Sequence, residues 1–199
     1  MSCMRKLVLA TTNAGKVREI AGVLGGVPFE LLTLAPWPDL PPPEETGRTF
    51  EENARLKALY YARATGELTV AEDSGLEIDA LDGLPGVESA RFGGADTTYP
   101  EKFSLIYDAL REKGAATSTA RFVCAVALAH ADRILFESRG TVEGRIAPRP
   151  TGGGGFGYDP IFFYPPFART LAEAADRKTE VSHRGKAFRE LRAFLEQAT

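Results

Sequence analysis

Val70-Ala71-Glu72-Asp73-Ser74-Gly75 is the stretch where an apolar run of the sequence gives way to two carboxylates and a small Ser-Gly pair. The apolar run predicts a buried strand that ends at the carboxylates. The carboxyl ends of strands in an open α/β sheet face the crevice where ligands bind, and carboxylates there suit Mg²⁺, which prefers oxygen ligands. The alternative is a polar turn that only closes the strand, since Asp-Ser-Gly is common in turns.

Strands and helices are predicted on both sides of this stretch. Lys6–Thr11 and Phe29–Leu34 have the apolar composition of strands, and apolar residues at helical spacing over 17–24 predict an amphipathic helix between them. The runs Ala120–Ala129 and Ile134–Ile146 flank a short polar turn, which predicts an antiparallel hairpin.

Later helices have marked ends. Thr49 and Glu52 form a capping box for a helix that reaches Gly66. An amphipathic helix that ends at Gly114 and a final helix capped by Ser182 follow. With 199 residues, we expect one domain or two intimately packed lobes.

Charge and cysteine content exclude several classes of function. The chain has 24 basic and 27 acidic residues and a net charge of −3, so a nucleic acid is not an expected partner. Cys3 and Cys124 are too few for a disulfide framework, which favours a reducing cytoplasm, and a buried free thiol is expected at Cys124. The longest apolar run, Phe122–Ala129, is far below the roughly 20 residues that span a bilayer, so a membrane is not an expected partner, and we expect no targeting segment.

The first predicted strand is joined to the first helix by Thr12-Asn13-Ala14-Gly15-Lys16. Backbone N–H groups and the positive end of the helix dipole suit an anion at such a turn, and Lys16 adds a cation. The spacing is not that of a Walker A loop. The turn therefore predicts phosphate binding, with an N-cap and a solvated lysine as the alternative.

Two more carboxylates stand just before a helix, in Glu44-Glu45-Thr46-Gly47. Acids in that position commonly do no more than complement the helix dipole. The alternative is that one of them joins Glu72 and Asp73 at a shared metal ion.

The segment Thr151–Pro160 has five glycines in six positions. Because glycine is costly to order, such a segment indicates close approach of the backbone to a ligand. Phe156 and Tyr158 offer aromatic rings on which a nucleobase can stack. The alternative is a flexible loop without a ligand.

Positively charged residues gather near the end of the chain, at Lys178, His183 and Arg184. Cations on the first turn of a helix oppose its dipole, so a purely stabilising role is not expected for them. Together with the phosphate turn, the acids and the glycine segment, they predict a site for a nucleoside polyphosphate. No cysteine or serine has the surroundings of a covalent nucleophile.

Six motifs occur in order over nearly the whole chain: 12–16, 44–54, 72–76, 85–91, 154–160 and 182–185. Together they resemble the signatures of the inosine triphosphate pyrophosphatase family, also called XTP/dITP diphosphatases. The resemblance implies an α/β fold with an elongated central mixed β-sheet flanked by helices and two lobes enclosing an active-site cleft. It also implies a homodimer that uses Mg²⁺ to hydrolyse ITP, dITP or XTP to the monophosphate and pyrophosphate.

The resemblance assigns roles to the matching residues. Glu44 and Asp73 would bind Mg²⁺, and Asp73 would also act as the catalytic base. The nucleotide would be bound by Thr11, Thr12, Asn13, Ala14, Gly15, Lys16, Ser74, Phe156, Gly157, Tyr158, Asp159, Lys178, His183 and Arg184. Glu72 departs from the pattern, because bacterial relatives often carry Asp there, so which acid reaches the metal directly is left open.

Two other functions remain possible from the sequence. A related pyrophosphatase for pyrimidine or modified nucleotides would use similar acids. A nucleotide sensor without catalysis would bind the same ligand, but several carboxylates near phosphate count against it, since binding alone would avoid that repulsion.

Overall fold

The computed structural model describes residues 5–197, and no helix in that range is long and apolar enough to cross a membrane. Its strands are β1 (Arg5–Leu9), β2 (Phe29–Leu32), β3 (Leu68–Ile78), β4 (Thr119–His130), β5 (Arg133–Ile146), β6 (Phe162–Tyr164) and β7 (Arg169–Thr170). Its α-helices are α1 (Ala14–Leu24), α2 (Phe50–Thr65), α3 (Tyr99–Glu112), α4 (Lys178–Val181) and α5 (His183–Gln197). Cys3 lies outside the described residues.

The strands hydrogen-bond into one mixed sheet in the order β2-β1-β3-β4-β5-β6-β7. β1 is parallel to β2 and to β3, with helical crossovers between them, whereas β6 is antiparallel to β5 and to β7. β4 and β5 are neighbours joined only by Ala131 and Asp132, too short a connection for parallel strands, so they form the predicted antiparallel hairpin. The predicted α/β fold with a mixed sheet flanked by helices is confirmed.

β3 runs unbroken through residues 72–75. The prediction that this strand ends at Glu72 is wrong, and so is the alternative of a polar turn. The two carboxylates are buried and each faces a lysine, so they do not need the solvent that a strand end would provide. Gly75 is required inside the strand because a Cβ there would lie 2.3 Å from Ser89 Oγ, which accepts a hydrogen bond from the N–H of Leu76 at 2.9 Å.

The chain divides into two compact units, and the first consists of the chain up to Asp73, Cys124–Gly140 and the chain from His183 on. Its core combines apolar residues of β1, β3 and β4 with the apolar faces of α1 and α5, which pack against each other. Cys124 is part of this core as a free thiol, as predicted. This packing holds α1 and α5 in place within the unit.

The second unit consists of Ser74–Val123 and Thr141–Ser182. Its core includes apolar residues of α3 and β6, and the rings of Phe122 and Phe162 contact each other at a tilt, with their centroids 4.5 Å apart. Tyr158 belongs to the same core, so the glycine segment is attached to packed structure rather than free.

Side-chain caps fix the ends of α2. Thr49 Oγ1 accepts a hydrogen bond from the N–H of Glu52 at 3.1 Å, and the Glu52 carboxylate accepts one from the N–H of Thr49 at 3.2 Å. The predicted capping box is thus confirmed. Gly66 ends the helix in the left-handed conformation at φ 71°, where glycine avoids the strain that a Cβ would cause.

Candidate active site

Asn13 caps α1 inside the turn that was predicted to bind phosphate. Its Oδ1 accepts hydrogen bonds from the N–H groups of Gly15 at 2.9 Å and Lys16 at 3.1 Å, and Thr11 Oγ1 accepts one from the N–H of Asn13 at 3.2 Å. The N-cap is therefore confirmed. An anion at this turn must displace Asn13 from the two donors or use other N–H groups of the first turn, where the helix dipole favours it.

Lys16 is more than a solvated lysine, because its ammonium group pairs with a buried carboxylate while 21% of its side chain is exposed. Its Nζ lies 2.5 Å from Oε1 of Glu72, whose side chain is only 2% exposed. The contact joins the first turn of α1 to the middle of β3. The lysine is thus held near the turn by a buried carboxylate.

Glu72 is surrounded by positive charge. On its Oε2 side lie Arg184 Nη2 at 3.5 Å and the thiol of Cys124, which donates a hydrogen bond at 3.3 Å. Burial alone would raise the pKa of Glu72, but Lys16, Arg184 and Lys57 outweigh burial and hold that pKa well below its usual range. Burial also raises the pKa of the Cys124 thiol, so the group remains a donor.

The guanidinium group beside Glu72 belongs to Arg184, whose side chain is only 2% exposed. Its Nη1 donates to Glu19 Oε2 at 2.6 Å, so the guanidinium lies between Glu19 of α1 and Glu72 of β3. Burial would lower the pKa of Arg184, but Glu72 and Glu19 raise it. A fixed guanidinium presents donors in a defined plane, which suits recognition of a carbonyl or a phosphate.

The first turn of α5 lies very close to β5 at Gly140. A Cβ at Gly140 would lie 2.1 Å from the carbonyl oxygen of His183 and 2.9 Å from the backbone nitrogen of Ala187. Ser138 Oγ donates to the carbonyl oxygen of Ala187 at 3.0 Å. These contacts fix the start of the helix that carries His183 and Arg184. Gly140 was not predicted as a functional position, because a single glycine in a strand gives no sign of which residues approach it.

Asp73 forms a second buried network with residues of α2. Lys57 Nζ lies 2.9 Å from Asp73 Oδ1 and 2.6 Å from Glu45 Oε1, and Asn53 Nδ2 donates to Asp73 Oδ2 at 3.2 Å. Asn53 Oδ1 in turn accepts from the N–H of Gly47 at 2.8 Å. The Asn53 and Lys57 side chains thus join the acidic segment before α2 to the carboxylate of β3.

Burial raises the pKa of Asp73, although Lys57 opposes the shift. Burial would lower the pKa of Lys57, but Asp73, Glu72 and Glu45 raise it. Asn53 and Lys57 were not predicted as site residues. Their spacing of four along α2 places them on one helix face, and this spacing was the signal available.

Glu44 differs from its neighbour Glu45. Glu44 is exposed, and no ion pair in the described range includes it. Within residues 5–197, no group of three or more His, Cys, Asp and Glu side chains is placed to hold a metal ion. The predicted metal ligands Glu44 and Asp73 therefore stay predictions.

The glycine segment of the second unit is organised around Asp159. Asp159 Oδ2 accepts hydrogen bonds from the N–H of Phe156 at 2.8 Å and from Lys178 Nζ at 2.7 Å. The same ammonium group lies 4.0 Å from the centroid of the Phe156 ring. A Cβ at Gly155 would lie 2.2 Å from Asp159 Oδ2, so glycine is needed for this arrangement.

Tyr158 is turned into the core of that unit. Its hydroxyl donates to the carbonyl oxygen of Ser89 at 2.8 Å, and its ring meets Tyr99 edge to face at 5.3 Å. Tyr158 therefore supports the segment, while Phe156 is the half-buried ring of the pair. Ser74 and Gly157 are half-buried as well. Nucleotide binding by these residues stays a prediction.

The match of this sequence to a known protein family extends over nearly the whole chain. The sequence model of the Ham1 family matches residues 7–194. The chain belongs to the Ham1 family. This match spans all six motifs, and the resemblance drawn from them is confirmed by relatives named dITP/XTP pyrophosphatase.

Two of the relatives named dITP/XTP pyrophosphatase are similar to this chain over 90% or more of their length. The protein of Exiguobacterium sp. strain AT1b is 49% identical over 191 residues, which cover 96% of each chain. That of Thermus thermophilus is 48% identical over 192 residues, which cover 96% of this chain and 90% of the relative. The solved structure of a HAM1 protein from Coxiella burnetii has a TM-score of 0.91 and 38% identity, and the match covers 98% of this chain and 100% of the other.

Proposed function

We propose that the protein hydrolyses deaminated purine nucleoside triphosphates, namely ITP, dITP and XTP, to the nucleoside monophosphate and pyrophosphate. The observation that carries this proposal is the buried carboxylate of Asp73, held by Lys57 and Asn53 beside the Glu72–Lys16 pair. The names of the full-length relatives support the same reaction.

Mg²⁺ is the proposed cofactor, with Glu44 and Asp73 as its protein ligands. The donor set supports this choice, because carboxylate oxygens are what Mg²⁺ prefers. A carboxylate has about four acceptor positions, so Asp73 keeps acceptor capacity beyond its bonds to Lys57 and Asn53. When bound, the ion would supply neutralisation of the charge that develops on the phosphates.

Asp73 is the proposed base that takes a proton from the water attacking the α-phosphorus. The pKa of Asp73 is raised by burial, which makes the carboxylate a better proton acceptor near neutral pH. Lys57 and Asn53 each hold one of its oxygens and so fix its direction. Phosphoryl transfer depends mostly on positioning and on neutralising charge, and Lys16 would steady the departing pyrophosphate.

Glu72 has a different role in this proposal. Its Oε1 faces Lys16, and its Oε2 lies near both the Cys124 thiol and Arg184, so its charge is already neutralised. We therefore assign it as the counter-ion of Lys16 and Arg184, and leave the base and metal roles to Asp73.

The base of the nucleotide would be recognised by hydrogen bonds and by a ring. Hypoxanthine and xanthine present an O6 acceptor and an N1–H donor, whereas adenine reverses both. Donation to O6 by Arg184 would leave buried groups unpaired against ATP, which can discriminate by roughly 10⁴. Phe156 would stack on the base, and Ser74, Asp159, Lys178 and His183 would complete the binding of the nucleotide.

The test is release of pyrophosphate from ITP, XTP, dITP, GTP, ATP and dTTP, with and without Mg²⁺. We expect ITP, XTP and dITP to be hydrolysed faster than GTP, ATP and dTTP, and only when Mg²⁺ is present. Preference for dTTP or another pyrimidine nucleotide would favour the related pyrophosphatase. Binding of ITP without turnover would favour the sensor.

We also propose that the enzyme is a cytoplasmic homodimer. The dimer is implied by the family resemblance, and the buried free thiol of Cys124 is consistent with a reducing compartment. Sedimentation equilibrium of the purified protein tests the dimer, and a single species of about 21.5 kDa would contradict it.

A further inference from the structure

The thiol of Cys124 contacts Glu72 across neighbouring strands. Cys124 lies in β4 and is fully buried, and its Sγ is 3.3 Å from Glu72 Oε2 in β3. A thiol is a weak donor, but a hydrogen bond to an ionised acceptor is stronger than one between neutral groups. The contact therefore favours one direction of the Glu72 carboxylate.

The two oxygens of Glu72 serve different groups. Lys16 Nζ faces Oε1 at 2.5 Å, whereas the thiol and Arg184 Nη2 lie on the Oε2 side. Rotation about the last bond of a glutamate side chain is broad and roughly two-fold, so its partners decide the direction of the carboxylate. Loss of the thiol would let the carboxylate turn and would shift both Lys16 and Arg184.

We propose that Cys124 is a positioning residue, whose thiol orients Glu72 so that Glu72 holds Lys16 and Arg184 where nucleotide binding requires them. The effect on binding rests on the proposed function, whereas the contact between the thiol and the carboxylate does not. Packing alone would also account for a buried cysteine, since free cysteine is among the most buried residue types. The two explanations differ in which substitutions they tolerate.

The first experiment compares Cys124→Ser with Cys124→Ala. Both substitutions remove the S–H group. Serine supplies an O–H donor in its place, whereas alanine supplies no donor. We expect alanine to raise KM for ITP by about three- to tenfold, the range for one lost hydrogen bond, and serine to stay within about twofold of wild type. A role in packing alone would lower the active fraction in both variants, so apparent kcat would fall while KM stayed unchanged.

A lower apparent kcat with unchanged KM in both variants would overturn the proposal. Equal KM values in the alanine variant and the wild type would also overturn it, and so would a KM raised equally in both variants. The concentration of folded enzyme in each preparation is measured by circular dichroism and thermal unfolding, so that kcat is referred to folded protein.

The second experiment observes the thiol directly by infrared spectroscopy in a Cys3→Ser background, which leaves Cys124 as the one cysteine of the chain. We expect an S–H stretching band at the low frequency of a thiol bonded to a carboxylate, and a shift to higher frequency in Glu72→Gln. A band that does not move would overturn the proposal. Because this measurement does not use turnover, it decides whether the thiol of Cys124 is bonded to Glu72 even if ITP is not a substrate.

Discussion

Lys57 Nζ lies 2.9 Å from Asp73 Oδ1, in a buried ion pair that ties α2 to the middle of β3. The same ammonium group contacts Glu45 Oε1 at 2.6 Å, so one lysine serves two carboxylates. Removing one partner of a buried pair is costly, about 3 to 5 kcal/mol, because it leaves a charge without compensation. Informative substitutions at this site therefore preserve the shape of the side chain they replace.

Asp73→Asn is such a substitution, and we expect it to lower kcat for ITP at least about a hundredfold, the smaller end of what a general base contributes. The amide keeps an oxygen for Lys57 but cannot accept a proton from water. Pyrophosphate release and thermal unfolding are measured on the same preparation. Asp132→Asn, at an exposed aspartate that pairs with Arg63, is the control and should behave as wild type. Turnover near the wild-type value in Asp73→Asn would exclude Asp73 as the base.

Glu44 and Glu45 offer a matched pair for the metal. Glu44 is exposed and unpaired within the described residues, whereas the carboxylate of Glu45 is engaged by Lys57. We expect Glu44→Gln to raise the Mg²⁺ concentration for half-maximal activity by about tenfold or more, because it removes one of two charged ligands. Glu45→Gln should have a smaller effect on that concentration. A larger increase in this Mg²⁺ concentration for Glu45→Gln than for Glu44→Gln would assign the metal to Glu45.

Much of the fold was predictable because its signals are local. The hairpin of β4 and β5 and the capping box of α2 follow from apolar runs, turn residues and cap residues that lie next to each other in the sequence. Residues 72–75 differ from the predicted strand end for a physical reason. Two adjacent carboxylates predict a solvent-exposed position unless cations pair with them. Here Lys16 of α1 pairs with Glu72 and Lys57 of α2 pairs with Asp73, and a single sequence does not show either contact.

The candidate site shows the same division between local and distant information. The cap formed by Asn13 and the box at Thr49 depend on residues three or fewer positions apart. The roles of Cys124 and Gly140 depend on contacts with residues more than forty positions away in the sequence. A single sequence contains no local signal for such contacts.

Arg184→Lys tests recognition of the base while preserving a positive charge for Glu72 and Glu19. Lysine lacks the planar fork of donors, so we expect the ratio of kcat/KM for ITP to that for ATP to fall by about tenfold or more. Arg184→Ala is less informative because the buried carboxylate of Glu72 and the half-buried carboxylate of Glu19 would both lose this cation. Glu19→Gln, which keeps the arginine, should change the ratio less. An unchanged ratio in Arg184→Lys would reject the assignment of Arg184 to O6.

Gly140→Ala tests whether the close approach of β5 and α5 sets the position of the proposed binding residues. The new Cβ would lie 2.1 Å from the carbonyl oxygen of His183, which is far inside van der Waals contact, so the start of α5 must move. We expect a loss of about 1 to 3 kcal/mol in the free energy of unfolding, as for other overpacked sites, together with a raised KM for ITP. Urea unfolding and steady-state kinetics measure the two effects.

Gly22→Ala is the matched control for that variant, because nothing lies within 4 Å of a Cβ built at Gly22 in α1. Alanine in an exposed helix position should raise stability by about 0.5 to 1 kcal/mol and leave KM unchanged. If Gly140→Ala retained both the stability and the KM of the wild type, α5 could shift without consequence, and His183 and Arg184 would not depend on this contact. If stability fell while KM for the folded fraction stayed constant, Gly140 would serve the packing of α5 and not the placement of Arg184.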